Sequence, residues 1–163
     1  MESDIKEKLQ IEKLKKSDAE KRIDEFLRID KNLSETLKKW DLNNFFSDLP
    51  EKWQLSFCVN SNEKIVGYMI CSKKELSTHI HRLAVSKEFQ RRDIGSSLIK
   101  ALEDHIGSNK KITLKVKKFN SAAIKFYEKN GFIRHGEEDC NYLYEKIVGD
   151  EIDKKGTSNE CTP

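Results

Sequence analysis

The chain lacks the features that would place it in several large classes. No Cys-x-x-Cys pair joins its four cysteines, Cys58, Cys71, Cys140 and Cys161, so neither a zinc ribbon nor a dithiol redox motif is present. No apolar stretch near either terminus is long enough for a signal peptide or a membrane span. No sign of charge dominates. The 31 Lys and Arg stand against 28 Asp and Glu, a net +3, which points neither to nucleic acid nor to an acidic tail protein. No internal repeat is visible. The expectation is a cytoplasmic protein with free thiols, without nucleic-acid or membrane partners.

What is present is a chain of 163 residues, which at roughly 150 residues per domain reads as one domain. It is long enough to bury a core without a disulfide or a metal staple. Residues 9–15 alternate loosely and predict a short strand. Ser17-Asp18, with Glu20 where a capping box wants it, predicts a helix start, and Ile23, Phe26, Leu27 and Ile29 follow at helical spacing. A second helix is predicted from near Ser34 through Leu37, Trp40 and Phe45, closed by Pro50. Leu55–Val59 and Ile65–Cys71, joined by the turn-forming Asn60-Ser-Asn-Glu-Lys64, predict a hairpin.

Ile80–Val85 predicts another strand. Ile94, Leu98, Ala101, Leu102, His105 and Ile106 then trace an amphipathic helix stopped at Gly107, with His105 on its apolar stripe. Ile112–Val116 reads as a strand and residues 120–130 as a helix ended by Asn130-Gly131. Phe132–Arg134 and Tyr142–Ile147 read as strands that close the sheet. The expected fold is a mixed α/β (α+β) domain over residues 1–148: a central mixed, mostly antiparallel sheet with helices on both faces. Residues 149–163, where Ile152 is the one large, strongly apolar side chain, are expected to be a disordered tail.

The stretch from Leu83 to Ser96 carries the chemistry. A strand runs through a short loop straight into a helix. Amides that open a helix are unpaired and the helix dipole adds positive potential, which makes an anion site suited to phosphates. Arg91 and Arg92 add charge, and Gly95 allows close approach to the backbone. The plain alternative is a strand-to-helix turn with a solvated arginine pair.

Gln90-Arg-Arg-Asp-Ile-Gly95 resembles the Gln/Arg-x-x-Gly-x-Gly/Ala signature of the GNAT superfamily of N-acetyltransferases. Asn120-Ser-Ala-Ala-Ile-Lys-Phe-Tyr127-Glu-Lys-Asn-Gly131-Phe132 resembles that family's second block. The resemblance is strong over residues 54–147 and weaker over 9–53. It implies acetyl-CoA as co-substrate. Backbone groups of Leu83, Ala84 and Val85 would hold the pantetheine arm, with the Val85 amide also suited to the thioester carbonyl. Arg91, Arg92, Asp93, Ile94, Gly95 and Ser96 would hold the pyrophosphate. Asn120 would lie near the thioester and Tyr127 would face the sulfur. Independently of the family, Asn120, Ala123, Ile124 and Tyr127 fall on one helical stripe, with Ala123 leaving room for a ligand. A phenol beside a departing thiolate is suited to act as a general acid; the plain alternative is that Tyr127 is a core aromatic.

His79 and His81 are two apart and share a face on a regular strand. An imidazole can take an amine's proton directly or through water. The strand His79-Ile-His81-Arg-Leu-Ala-Val85 resembles the His-x-His strand of arylalkylamine N-acetyltransferases, which implies a proton relay through the pair. Satisfied strand histidines remain a second reading. Half of a metal site is a third, although no third ligand is evident and no metal is expected. His135 reads as a surface residue.

Two positions depart from the family pattern. Asp93 stands where the signature has its first glycine, and is expected to adopt left-handed backbone and cap the following helix at some cost in cofactor affinity. Lys115 stands five residues before Asn120, where ribosomal-protein Nα-acetyltransferases carry a glutamate, which lowers the fit to a ribosomal N-terminus. Trp40, Phe45, Phe46 and Trp53 could wall an acceptor site or belong to the core. The resulting expectation is an N-acetyltransferase, monomer or homodimer. It would move the acetyl group of acetyl-CoA onto a primary amine, small molecule or peptide, by direct attack. A catalytically silent acyl-CoA sensor, which Asp93 keeps open, and a peptide-binding protein without cofactor are the alternatives.

Overall fold

The computed structural model describes residues 8–33 and 38–149. The first half of the chain runs β1 (Leu9–Lys13), α1 (Lys16–Lys21), α2 (Ile23–Lys31), α3 (Leu42–Phe46), α4 (Lys52–Leu55), β2 (Phe57–Ser61), β3 (Lys64–Lys74) and β4 (Ser77–Val85). A short turn of 3-10 helix (Lys87–Phe89) leads to α5 (Ile94–Ile106), β5 (Lys111–Lys117), α6 (Ser121–Lys129), β6 (Ile133–Glu138) and β7 (Asn141–Ile147). The strands form one seven-stranded sheet in the order β1-β2-β3-β4-β5-β7-β6. Every junction is antiparallel except β4–β5, which is parallel. The mixed, mostly antiparallel sheet read from the sequence is the one found.

Each face of the sheet has its own core. On one, Ile94, Leu98 and Leu102 of α5, spaced one turn apart, bury against Ile80, Ile112 and Leu114. On the other, Phe26 of α2 and Phe45 of α3 stack against Tyr68 with ring centroids 5.5 and 5.2 Å away. Trp40, Phe46 and Trp53 pack around this second cluster, so the aromatic set serves the core.

The α2 face is locked by one buried carboxylate. Asp30 is fully buried. It accepts hydrogen bonds from the Arg82 guanidinium (2.7 Å from Nε), the Tyr68 hydroxyl (3.0 Å) and the Trp40 amide (2.5 Å). Arg82 also stacks over the Trp40 ring, 5.5 Å from its centroid. A buried charge persists only when paired and hydrogen-bonded. Here the pairing joins helix α2, strands β3 and β4, and the chain that follows α2.

Several local expectations are corrected. The predicted helix from Ser34 to Pro50 is not one helix. Ser34–Leu37 lie outside the described residues, residues 38–41 are irregular, and α3 begins only at Leu42. It starts there because Asp41 and Asn44 cap each other reciprocally, each bond 3.0 Å. Leu55 closes α4 instead of opening a strand. At the first helix Lys15 is the cap residue and makes no side-chain cap bond, so the Ser17–Glu20 capping box does not form. His105 is exposed, its ring set at 75° to that of Phe57 with centroids 6.1 Å apart. Residues 150–163, and with them the expected tail, lie outside the described part.

Strand β4 carries a bulge. Ile70 pairs with Arg82 and Cys71 with Ile80, which leaves His81 as the extra residue. The bulge switches faces. Ile80, Leu83 and Val85 pack on the α5 side, while Arg82 and Ala84 point toward α2.

Replacing Asp30 with alanine should cost about 3 kcal/mol, because it strands the Arg82 charge and the Tyr68 hydroxyl. The urea midpoint should fall with little change in slope, and an unchanged midpoint would show that the carboxylate holds nothing.

Candidate active site

The ladder between β4 and β5 is short. Ser77, Thr78, His79 and Ile80 pair with Lys111, Ile112, Thr113 and Leu114, and then pairing stops. Beyond it β4 continues to Val85 paired only with β3, and β5 continues to Lys117 paired only with β7. The strands therefore part, and their facing backbone edges have no partner in each other. Ser86 donates back to Val66 on β3 (2.7 Å). Strand alternation therefore turns the main-chain groups of Leu83 and Val85 into the gap and those of Ala84 toward β3. Ala84 thus offers the gap no main-chain group, which corrects its predicted part in a three-residue backbone contact.

One mouth of the gap is a cavity of about 470 Å³. Leu83, Ala84, Val85, Arg91, Asp93, Ile94, Gly95, Ser96, Ala123 and Tyr127 all line it, so ten predicted site residues from three segments converge. Arg92 and Asn120 do not line it. Arg92 stacks on Phe89, 4.8 Å from the ring centroid. The Asn120 side chain accepts from the Ala123 amide (3.2 Å) and caps α6. Sequence reasoning missed Gln90, whose amide donates to the Val85 carbonyl at 3.1 Å and pins the loop to the strand end.

The loop is shaped for an anion. Arg91 and Asp93 both have left-handed backbone, φ 66° and 60°, and alternation of this kind turns amides into a concave nest. Asp93 is the residue before α5, as expected, but its side chain makes no cap bond. Its carbonyl accepts from the Ser97 amide (3.0 Å) and hydroxyl (3.0 Å). The amides of Ile94, Gly95 and Ser96 therefore have no partner within the helix. Gly95 has a second reason to be glycine, because a Cβ there would lie 2.8 Å from Cζ of Phe126. Its close approach is to the α6 aromatic.

Tyr127 packs edge-on between Phe126 and Phe132, at 5.1 and 5.6 Å. No side chain among the described residues hydrogen-bonds its hydroxyl. Burial pushes the phenol's pKa upward, with Cys71 adding to the rise and Arg82 opposing it. It stays protonated at neutral pH.

The histidine pair lies at the vertex of the gap. The rings of His79 and His81 are 4.8 Å apart and edge-to-face. Nδ1 of His79 lies 2.8 Å from the Thr113 hydroxyl on β5, and Nε2 of His81 lies 2.7 Å from the Ser72 hydroxyl on β3. His79 is 8% exposed. Burial, then the neighbouring His81, Lys74 and Lys115, holds it down at about 4. Burial, Lys74 and Lys52 also lower His81. His79 and Thr113 face a second cavity of about 590 Å³ on the sheet face away from α5 and α6. His135 lines it too, 3.8 Å from Glu145, as the extra residue of a bulge between Arg134 and Gly136. His135 is exposed, as the sequence reading expected, while lining this cavity. Among the described residues no cluster of His, Cys, Asp and Glu could hold a metal, and no helix is long and apolar enough to cross a membrane.

Known proteins resemble this chain in both sequence and shape. The acetyltransferase (GNAT) family profile matches residues 19–132. N-alpha-acetyltransferase 30 of Schizosaccharomyces pombe is 32% identical over 114 residues, 66% of this chain and 74% of that protein. The ribosomal protein bS18-alanine N-acetyltransferase of Salmonella typhimurium is 28% identical over 95 residues, 57% of this chain and 64% of that protein. The crystal structure of the Escherichia coli ribosomal-protein-S18-alanine N-acetyltransferase superposes with a TM-score of 0.71 at 21% identity, covering 88% of this chain and 96% of that one. The narrower likeness of the His-x-His strand to arylalkylamine enzymes is not among these matches.

The His79 shift has a consequence for stability. The unfolded chain takes up this proton near 6.5 and the folded chain only near 4. Stability is therefore full above pH 6.5 and falls as the pH drops toward 4, by up to about 3 kcal/mol. His79→Gln should flatten that acid limb in melting curves taken across the interval; parallel curves for the two proteins would show that the imidazole is not protected from protonation.

Proposed function

From the premise that the chain belongs to the acetyltransferase (GNAT) family, a family of acetyl-CoA-dependent N-acetyltransferases, we propose that it moves an acetyl group from acetyl-CoA onto the primary amine of a protein or peptide. The observation that carries this reading is the parting of β4 and β5, with the unpaired amides of α5 at one end and the Tyr127 hydroxyl alongside.

The residues present fit the co-substrate. The Leu83 and Val85 main-chain groups have the spacing of a strand edge and suit the amide-bearing pantetheine arm. The amides of Ile94, Gly95 and Ser96, with Arg91, suit the pyrophosphate. When bound there, acetyl-CoA supplies an activated thioester. The chain's own residues do the rest. Tyr127 holds a proton ready for the departing sulfur. The Val85 amide faces the gap, where it can polarise a carbonyl. His79 and His81 are neutral at pH 7 and take the amine's proton, directly or through water. Cys58 and Cys71 are buried, their thiols pushed up, Cys58 to about 12, so neither offers a thiolate to carry the acetyl group. Attack by the amine is direct.

The acceptor class rests on the relatives named for protein α-amines and for a ribosomal alanine. Lys115, 3.1 Å from Glu138, cannot act as a carboxylate base, so the proton falls to the histidines. Thiol release from acetyl-CoA across a panel of peptide α-amines and small amines tests the reading. Peptide-dependent release supports it. Coenzyme A binding without release on any acceptor would make the chain a sensor, and no binding at all would end the enzymatic reading.

Tyr127→Phe should lower turnover by about 10²-fold while leaving the Kd for coenzyme A nearly unchanged; undiminished turnover would remove its acid role. Asp93→Gly should tighten coenzyme A binding several-fold in calorimetry, since it removes a carboxylate at the anion loop and relieves left-handed backbone. Weaker binding would give that side chain a positive part.

A further inference from the structure

We propose that Thr113 is a positioning residue that fixes which nitrogen of His79 carries the proton. Its hydroxyl accepts the Nδ1 proton and leaves Nε2 as the proton acceptor. This rests on the reading of His79 as part of the base.

Ser72 on β3, His79 on β4 and Thr113 on β5 are direct cross-strand neighbours. Thr113 belongs to the last stretch of ladder before the strands part, and its Oγ1 is 2.8 Å from Nδ1 of His79. The backbone on both sides of this contact is paired, so the hydroxyl is delivered by the sheet and not by a mobile loop. Ser72 is taken by His81 instead, at 2.7 Å from Nε2. Each ring is thus tethered by a different nitrogen to a different strand. Among the described residues, Nε2 of His79 and Nδ1 of His81 have no such tether.

A neutral imidazole carries one N–H and one lone pair, and the contact of one nitrogen decides the role of the other. His79 is nearly enclosed; burial, then His81 on its own strand, Lys74 on β3 and Lys115 on β5, disfavours its protonation, while Glu138 and Glu145 line the same cavity. The ring is neutral at pH 7, so its tautomer, not its charge, is what the site must set. Thr113 also lines the open cavity, which lets its own hydroxyl proton turn outward and leaves its oxygen to accept. A buried N–H without an acceptor costs about 1–3 kcal/mol, enough to bias a tautomer pair strongly.

The test combines a spectroscopic and a kinetic readout. In long-range 1H–15N spectra of imidazole-labelled full-length protein at pH 7, His79 should carry its proton on Nδ1. Thr113→Val should move it to Nε2, and Thr113→Ser should keep it on Nδ1. With acetyl-CoA and an accepted amine, Thr113→Val should lower kcat at least tenfold with KM changed less than twofold, and Thr113→Ser should restore it. A proton on Nε2 in the unaltered protein, or a tautomer that Thr113→Val leaves in place, overturns the proposal. His79→Gln separates the two claims. If it leaves turnover intact while Thr113→Val still moves the proton, the base reading fails and the positioning stands.

Discussion

Past Ile80 and Leu114 the backbones of β4 and β5 have nothing to say to each other, and that break in the ladder is the constraint on which the rest depends. Unpaired strand edges inside a sheet are costly unless something else satisfies them. Here the break is held open from outside. β3 secures β4 along its whole length, and β7 secures β5 along its whole length. The Asp30–Arg82 pair fastens β4 to α2 at the residue just before Leu83. The bulge at His81 bends β4 where the divergence begins. The gap is therefore a built feature with its own supports.

The two parallel strands each lead into a helix on the same face, β4 into α5 and β5 into α6. Ligands of such sheets gather beyond the carboxyl ends of the strands, and both helix beginnings lie there. Gly95 shows how closely the two are fitted. The volume a side chain would need is filled by Phe126, which itself packs against Tyr127. One contact thus sets the anion loop and the phenol relative to each other. The sequence pointed to this glycine for a different reason, close approach by a phosphate.

Much of the site was legible because it is local. The helix from Ile94 shows its 3.6-residue period, and the two sequence blocks each fall on one strand–loop–helix or helix segment. What was not legible depends on register and caps. The reciprocal cap of Asp41 and Asn44 outweighs the apolar spacing that suggested a longer helix. The bulges at His81 and His135 shift the side chains that follow them by one position, which a sequence pattern does not encode directly. One signal was available. The adjacent polar pair His81-Arg82, between Ile80 and Leu83, breaks the alternation of β4 at the bulge. Ser72 and Thr113 carried no signal at all, since ordinary strand hydroxyls become significant only when a neighbouring strand brings a histidine opposite.

The electrostatics of the histidine pair bear on the amine itself. Besides burial and the neighbouring His81, the cationic Lys74 and Lys115 depress His79. The same field acts on any amine beside them. The lysine charges disfavour an ammonium ion there relative to the neutral amine, while Glu138, paired with Lys115 at 3.1 Å, and Glu145 line the same cavity and oppose that effect. A weak base such as an imidazole held near 4 then need not extract a proton from an amine with solution-like basicity. On the proposed reading of His79 as the base, the lysines around the vertex would move the acceptor's pKa toward that of the imidazole, which is the matching that general base catalysis requires.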